Sequence, residues 1–281
     1  YYFDADKADI RNAYQAHIVK LLELSGVPAD AATAQAKDVL AFETRLAKAS
    51  LSSEDLSRDV ELYYNPVSLV EADKLTPNFS WTEFFKSQGV AAPAMFSLAM
   101  PAFHQEVSAM LADVPVEQWK SFLRFHALDA AASDLSDEFV TESFNFYSKT
   151  LRGQKEIKPR WKQVLGSINQ EAGEALGQMY VDVAFPPEAK AQMEVLVGNL
   201  GAALKTRIQN LAWMSDDTRQ KALVKWETFA PKVGYPDKWR DWSELATSRE
   251  SYPGNVQAAE TFNYRWNLRR RGTRVGNPEW G

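Results

Sequence analysis

Cysteine is absent from this 281-residue chain, and histidine occurs only three times. Without cysteine there is no disulfide, no thiolate metal site and no cysteine nucleophile. That absence does not fix a compartment, because exported and cytosolic chains can both do without the residue. The histidines, His17, His104 and His126, stand far apart. None of them completes His-Glu-x-x-His, the helical spacing that sets two imidazoles one turn apart on one metal. The nearest text, His104-Gln105-Glu106-Val107-Ser108, has its acid one place late and lacks the second imidazole. Also missing are a Gly-x-Ser-x-Gly elbow, a Gly-x-x-x-x-Gly-Lys phosphate loop and a Gly-x-Gly-x-x-Gly turn. No run approaches the roughly 18 apolar residues that span a bilayer, and no Asn-Gly or Asp-Gly hairpin signal occurs. The chain begins at Tyr1 and shows no basic-then-apolar leader, so it is expected to be processed or cut from something longer.

What is present is ordinary for a globular protein. Apolar residues make up 45% and charged residues 25%, and 9 Trp, 10 Tyr and 15 Phe supply a sizeable core. The length suits one large domain or two intertwined ones. A net charge of -5 disfavours general nucleic-acid binding, which needs a cationic footprint.

Helical periodicity dominates. Ala36, Val39, Leu40 and Leu46 lie near one stripe. Asn65 and Pro66 read as the cap and first position of a helix through Leu75, and FSWTEFF (79–85) opens another. DVPVEQW (113–119) turns into a helix whose inner side is expected to carry Val116, Trp119, Leu123 and His126. FVTESFNFYSKTLRG (139–153) stops at Gly153. Trp161, Val164, Leu165, Ile168, Leu176, Met179 and Val183 continue the pattern. The clearest stripe is Met193, Leu196, Val197, Leu200, Leu204, Ile208 and Leu211, started by Pro186-Pro187. Residues 89–101 and 240–255 are the most loop-like stretches, and β-structure has little support.

Candidate chemistry is thin. His17 reads as a polar neighbour on an amphipathic helix, His104 as a half-exposed residue near a helix start, and His126 as a core or subcore histidine. The acid groups Asp216/Asp217 and Asp134/Asp137/Glu138 suit helix starts, where they oppose the positive end of the dipole. In WMSDDTRQKALVKWETFAPKVGYPD (213–237), Ser215 to Asp217 offer capping oxygens and Asp217 with Gln220 has capping-box spacing. Leu223, Trp226 and Ala230 would face inward, and Gly234 and Pro236 end the run, with Arg219 and Lys221 among its charges. Arg265, Arg269, Arg270, Arg271 and Arg274 interleave with Tyr264 and Trp266. They read as the solvated face of a helix stopped by Gly272, with phosphate or RNA binding as the sharper alternative. No catalytic set emerges from spacing alone.

Five segments in order resemble the neprilysin family of zinc metallopeptidases, which includes endothelin-converting enzyme and bacterial oligopeptidases. They are VLAFETRLA (39–47), YNPVSLVEADKLTPNFSWTEFF (64–85), RWKQVLGSINQEAGEALGQMYVDVAF (160–185), LAWMSDDTRQKALVKWETFAPKVGYPD (211–237) and NPEW (277–280). The resemblance implies a mainly α, multi-helix cap domain over residues 1–265, with 266–281 starting the connection to a thermolysin-like catalytic domain. In family order the His-Glu-x-x-His ligands, the further Glu ligand and the Asn-Ala-Tyr/Phe segment come after Trp280. The resemblance therefore implies no catalytic and no metal residue in this chain, and substrate-binding residues stay unknown. It implies zinc in the intact enzyme, oligopeptide substrates, and the C-terminal catalytic half of the same protein as partner. It also implies an extracytoplasmic location (periplasmic, secreted or membrane-anchored), with cytoplasmic as the alternative. Val164 stands where the animal members carry cysteine, which points to a bacterial member, and Pro231 falls late in the expected helix. The competing expectation is a stand-alone helical binding or scaffold protein without catalysis.

Overall fold

The computed structural model describes residues 1–273. It is mainly α-helical and divides into two compact units, Tyr1–Ile157 and Lys158–Gly281.

The first unit is built on α1 (Ala8–Leu24), α2 (Ala29–Ala49) and α7 (Val116–Ala131). Ile18, Leu21 and Leu22 fall on one face of α1, and Ala32, Ala36 and Val39 on one face of α2. These two stripes close on Phe125 of α7 and on Ala132. Phe42 of α2 stacks on Phe122 at 4.2 Å and meets Trp119 edge-on at 4.6 Å. The inner side of α7 therefore differs from the sequence expectation. Val116 and Leu123 are exposed, while Ser121 and Phe125 are buried. The register is set by the aromatic at 125, whose larger apolar surface outweighs that of Leu123 when only one of the two faces can be covered.

Short elements complete this unit: α3 (Ser53–Arg58), α4 (Leu69–Leu75), α5 (Trp81–Ser87) and α6 (Pro101–Asp113). Strand β1 (Pro66–Ser68) pairs antiparallel with β2 (Met95–Ser97), with Val67 opposite Phe96. Pro66 is thus a strand residue and not the first residue of a helix. The cap of α4 is Ser68, which accepts from Glu71 N–H while the Glu71 carboxylate accepts from Ser68 N–H. That reciprocal box satisfies two free donors and fixes the start three residues later than Asn65 would. Arg45 of α2 clasps α6 by a bidentate contact to Asp113 at 2.8 and 2.9 Å and a further one to Glu106. The guanidinium holds the Asp113 carboxyl below its usual range. Helix α8 (Asp137–Ser143) runs into a π-helical turn, Phe144–Thr150, and Gly153 closes the segment at φ 69°.

The second unit comprises α9 (Arg160–Ala184), α10 (Pro187–Gln209), α11 (Asp216–Glu227) and α12 (Tyr252–Arg269). Pro186 and Pro187 start α10 as expected. Helix α9 is broken at Ala172, where φ is -138° and ψ 36°, and the carbonyl of Glu171 accepts from the Asn263 amide of α12 at 2.9 Å. Residues 252–255 belong to α12, so the loop is shorter than the sequence suggests. Ser251 caps that helix through Gly254 N–H. Among the described residues, no helix is long and apolar enough to cross a membrane.

Candidate functional site

The most unusual surface lies in the second unit. Helices α9, α10 and α11 bury none of their residues, although α9 and α10 carry long series of apolar residues at helical spacing. On α10, Leu200 is 61% and Leu204 51% exposed, and Met193 and Leu196 are exposed beside them. Phe229, just past α11, is 69% exposed. An apolar stripe this long is normally covered. Between α10 and α11 it forms a trench of about 510 Å³ lined by Val197, Leu200, Leu204, Ile208, Trp226 and Phe229. The two helices are joined by the indole N–H of Trp226, which donates to the carbonyl of Gly201 at 3.0 Å.

The trench adjoins a groove of about 770 Å³ on the 229–238 side, where the Gly-Tyr-Pro-Asp segment is fastened to α10. Lys190 donates to the Tyr235 carbonyl at 2.9 Å and to Asp237 at 2.6 Å, and its ammonium lies over the Tyr235 ring at 4.6 Å. The hydrogen bond to Asp237 raises the Lys190 pKa. Tyr235 stacks on Trp239 with ring planes 9° apart. Gly234 sits at φ 72°, and a Cβ there would lie 2.7 Å from the Phe185 ring. Only glycine meets both the left-handed backbone and the close approach.

The charges of 215–221 are local. Ser215 caps α11 by accepting from Thr218 N–H, ahead of the box expected at Asp217 and Gln220. Ser215 takes that role because its extended backbone lies outside the helix, whereas Asp216 and Asp217 are already inside its first turn. Arg219 donates to Asp216 and to the carbonyls of Leu211 and Met214, and Lys221 pairs with Asp217. Helix α11 ends at Glu227, so Ala230 is not on its inner side, and Pro231 lies beyond the last turn. The expected stripe of this helix reduces to Leu223 and Trp226, both half-buried, with Ala222 half-buried beside them.

Of the arginine cluster, Arg265, Arg269 and Arg271 are exposed and Arg270 is half-buried. Arg269 pairs with Glu244 at 2.7 Å. Trp266 faces the guanidinium of Arg240 at 4.6 Å, and Trp242 and Phe262 enclose the same cation at 4.4 and 4.6 Å. Burial, with Arg269 and Arg270 nearby and Glu174 opposing them, lowers the Arg240 pKa. An aromatic face already occupied by a cation is not free to stack on a base. Gly272 follows the helix at φ 78°, whereas Arg274 and the NPEW segment lie outside the described residues.

The histidines are scattered in the first unit. His104 is half-buried, meets Trp81 at 5.4 Å, and burial lowers its pKa. His126 is partly exposed, and its Nε2 lies 2.8 Å from Glu43 Oε1 but out of line for a hydrogen bond. His17 is not a half-solvated neighbour. It is buried, with Nδ1 2.8 Å from Glu142 and Nε2 3.1 Å from Asp129. These carboxylates lie 125 and 112 positions away, beyond the reach of any local pattern. Asp137 and Glu138 open α8 as expected, and hydrogen bonds from its own backbone N–H and from Ser136 lower the Glu138 pKa. Among the described residues, no group of three or more histidines and carboxylates converges on a point that could hold a metal ion. The donor set here does not fit a zinc site, and what the second unit offers is apolar contact area.

Comparison with known proteins places this architecture. The model of the N-terminal region of Peptidase family M13 matches residues 1–236. The zinc metalloprotease Zmp1 of Mycobacterium tuberculosis, in its open state, superposes with a TM-score of 0.88 at 34% identity, covering 100% of this chain and 44% of that one. Neprilysin-3 of Drosophila melanogaster is 28% identical over 97% of this chain and 37% of its own length. A neutral endopeptidase of Lactobacillus helveticus is 28% identical over 86% of this chain and 37% of its own. The chain thus spans little more than a third of the length of these two relatives. With its mainly helical fold and its match over most of its length, the chain belongs to Peptidase family M13.

Proposed function

We propose that this chain is the cap portion of a zinc-dependent metalloendopeptidase that cleaves oligopeptides. In this reading residues 1–265 form the cap and 266–281 begin the connection to a thermolysin-like catalytic half. The cap supplies no catalytic residue and no metal ligand. When bound in the other half, zinc supplies the Lewis acidity that polarises a scissile carbonyl. The cap's part is to wall the cavity and restrict it to short, unfolded substrates. The natural setting is extracytoplasmic.

One observation carries the reading: the uncovered apolar face of α10 and α11, in a chain whose relatives are peptidases more than twice its length. A free-standing scaffold would leave that face in water, where it promotes association. The contact of Trp266 with Arg240 and the net charge of -5 weigh against an RNA-binding role.

Size selection gives a test. A peptide of about ten residues should be cleaved by the intact protein, whereas the same sequence held in a loop of a stable folded carrier should not. Mass spectrometry of the products reads both. Equal cleavage of the two would remove the proposed role of the cap.

A further inference from the structure

The polar interior of the first unit is more elaborate than a packing role requires. His17 of α1 lies between Asp129 of α7 and Glu142 of α8, one carboxylate on each ring nitrogen. Phe146 from the π-helical turn stacks beneath the imidazole at 4.7 Å with planes 16° apart. Tyr147, the next residue, donates to the other oxygen of Asp129 at 2.6 Å. Tyr14 also stacks against His17, at 6.5 Å, and donates to Glu43 of α2, which also accepts from Tyr2 and faces His126. The π-helical insertion brings Phe146 and Tyr147 to the same imidazole, and such insertions occur frequently at functional sites.

A neutral imidazole carries one N–H. It can donate to one of the two carboxylates, and the other then meets its lone pair. Only the imidazolium satisfies both at 2.8 and 3.1 Å. We propose that His17 is a proton-operated staple: protonated, it ties α1 to α7 and α8 at once, and on losing the proton it releases one carboxylate and loosens that corner.

The electrostatics agree with the geometry. Burial alone would push the His17 pKa down, but the hydrogen bonds and charges of Asp129 and Glu142 outweigh it and raise the pKa. Folded His17 therefore holds its proton more tightly than unfolded His17. The stabilisation is fully present below about pH 6.5, the unfolded value, and is lost as the pH rises through the raised folded value.

Histidine NMR of the 281-residue chain tests the staple directly. Three ring signals are expected, and the one removed by His17→Asn should titrate above about pH 6.5. His104, depressed by burial, should titrate below it. Glu142→Gln, which keeps the shape but removes one charge, should weaken proton binding at His17 about tenfold or more. Chemical denaturation should show wild-type stability falling as the pH rises beyond about 6.5, with the fall absent in His17→Asn. A His17 signal titrating at or below pH 6.5 in the wild type overturns the proposal, and so does a position unmoved by Glu142→Gln. If Glu142→Gln does not fold, the wild-type titration by itself upholds or overturns the staple.

Discussion

On the proposed cap reading, replacing Leu200 and Leu204 together by aspartate should lower the affinity of this chain for a separately produced catalytic half by about a hundredfold. Both side chains stand on the uncovered stripe of α10, 61% and 51% exposed. Burying a leucine contributes about 1.5–3 kcal/mol. Only the exposed part, a little over half of each side chain, is left to bury, so the two together contribute about 2–3 kcal/mol, or one to two orders of magnitude at about 1.4 kcal/mol per tenfold. Burying the new carboxylates would add to the loss. Because neither leucine is buried in this chain, its circular dichroism and thermal unfolding should hardly change. Calorimetry of the two halves reads the affinity. Unaltered binding would mean that the stripe stays in water in the assembled protein, and that the cap docks through another face.

The second large effect concerns the interior of the first unit. Phe125→Ala should destabilise the chain by about 3–5 kcal/mol, as the removal of a buried aromatic does when its surroundings cannot close the cavity. Phe125 is fully buried, packed edge-on to Tyr14 at 5.9 Å and to His17 at 6.2 Å, where it closes the stripes of α1 and α2. Against a typical total of about 5–15 kcal/mol, that loss is large. Leu123→Ala, two positions earlier on the same helix, should cost no more than about 0.5 kcal/mol, because Leu123 is exposed. Urea unfolding of both variants gives the comparison. Equal losses would contradict the observed register of α7.

The helices themselves are legible where local signals agree. Pro186-Pro187 starts α10, Gly153 closes the α8 segment, and the apolar period of α9 and α10 matches the helices observed. Periodicity names an apolar face but not what covers it, so the stripe from Met193 to Leu211 reads as an ordinary amphipathic helix, yet Met193, Leu196, Leu200 and Leu204 prove exposed, Val197 and Ile208 half-buried, and Leu211 lies beyond the helix end at Gln209. Where two local signals compete, the one with complete hydrogen bonding wins. Ser68 with Glu71 displaces Asn65 and Pro66, and Ser215 displaces Asp217. Gly234, within one of the segments that carry the family resemblance, has a physical reason in Phe185. The clasp of Lys190 on Asp237, the aromatic enclosure of Arg240 and the partners of His17 are not legible. Each depends on residues more than twenty positions apart, and one sequence carries no sign of such a meeting.

The division of labour between this chain and a catalytic half is tested most directly by peptide hydrolysis. The purified 281-residue chain, supplied with zinc, should cleave no peptide. The same residues joined to the continuation of their reading frame should cleave an oligopeptide, and a chelator should stop the reaction. Zinc-dependent cleavage by the 281 residues alone, in a preparation free of contaminating peptidase, would contradict the account.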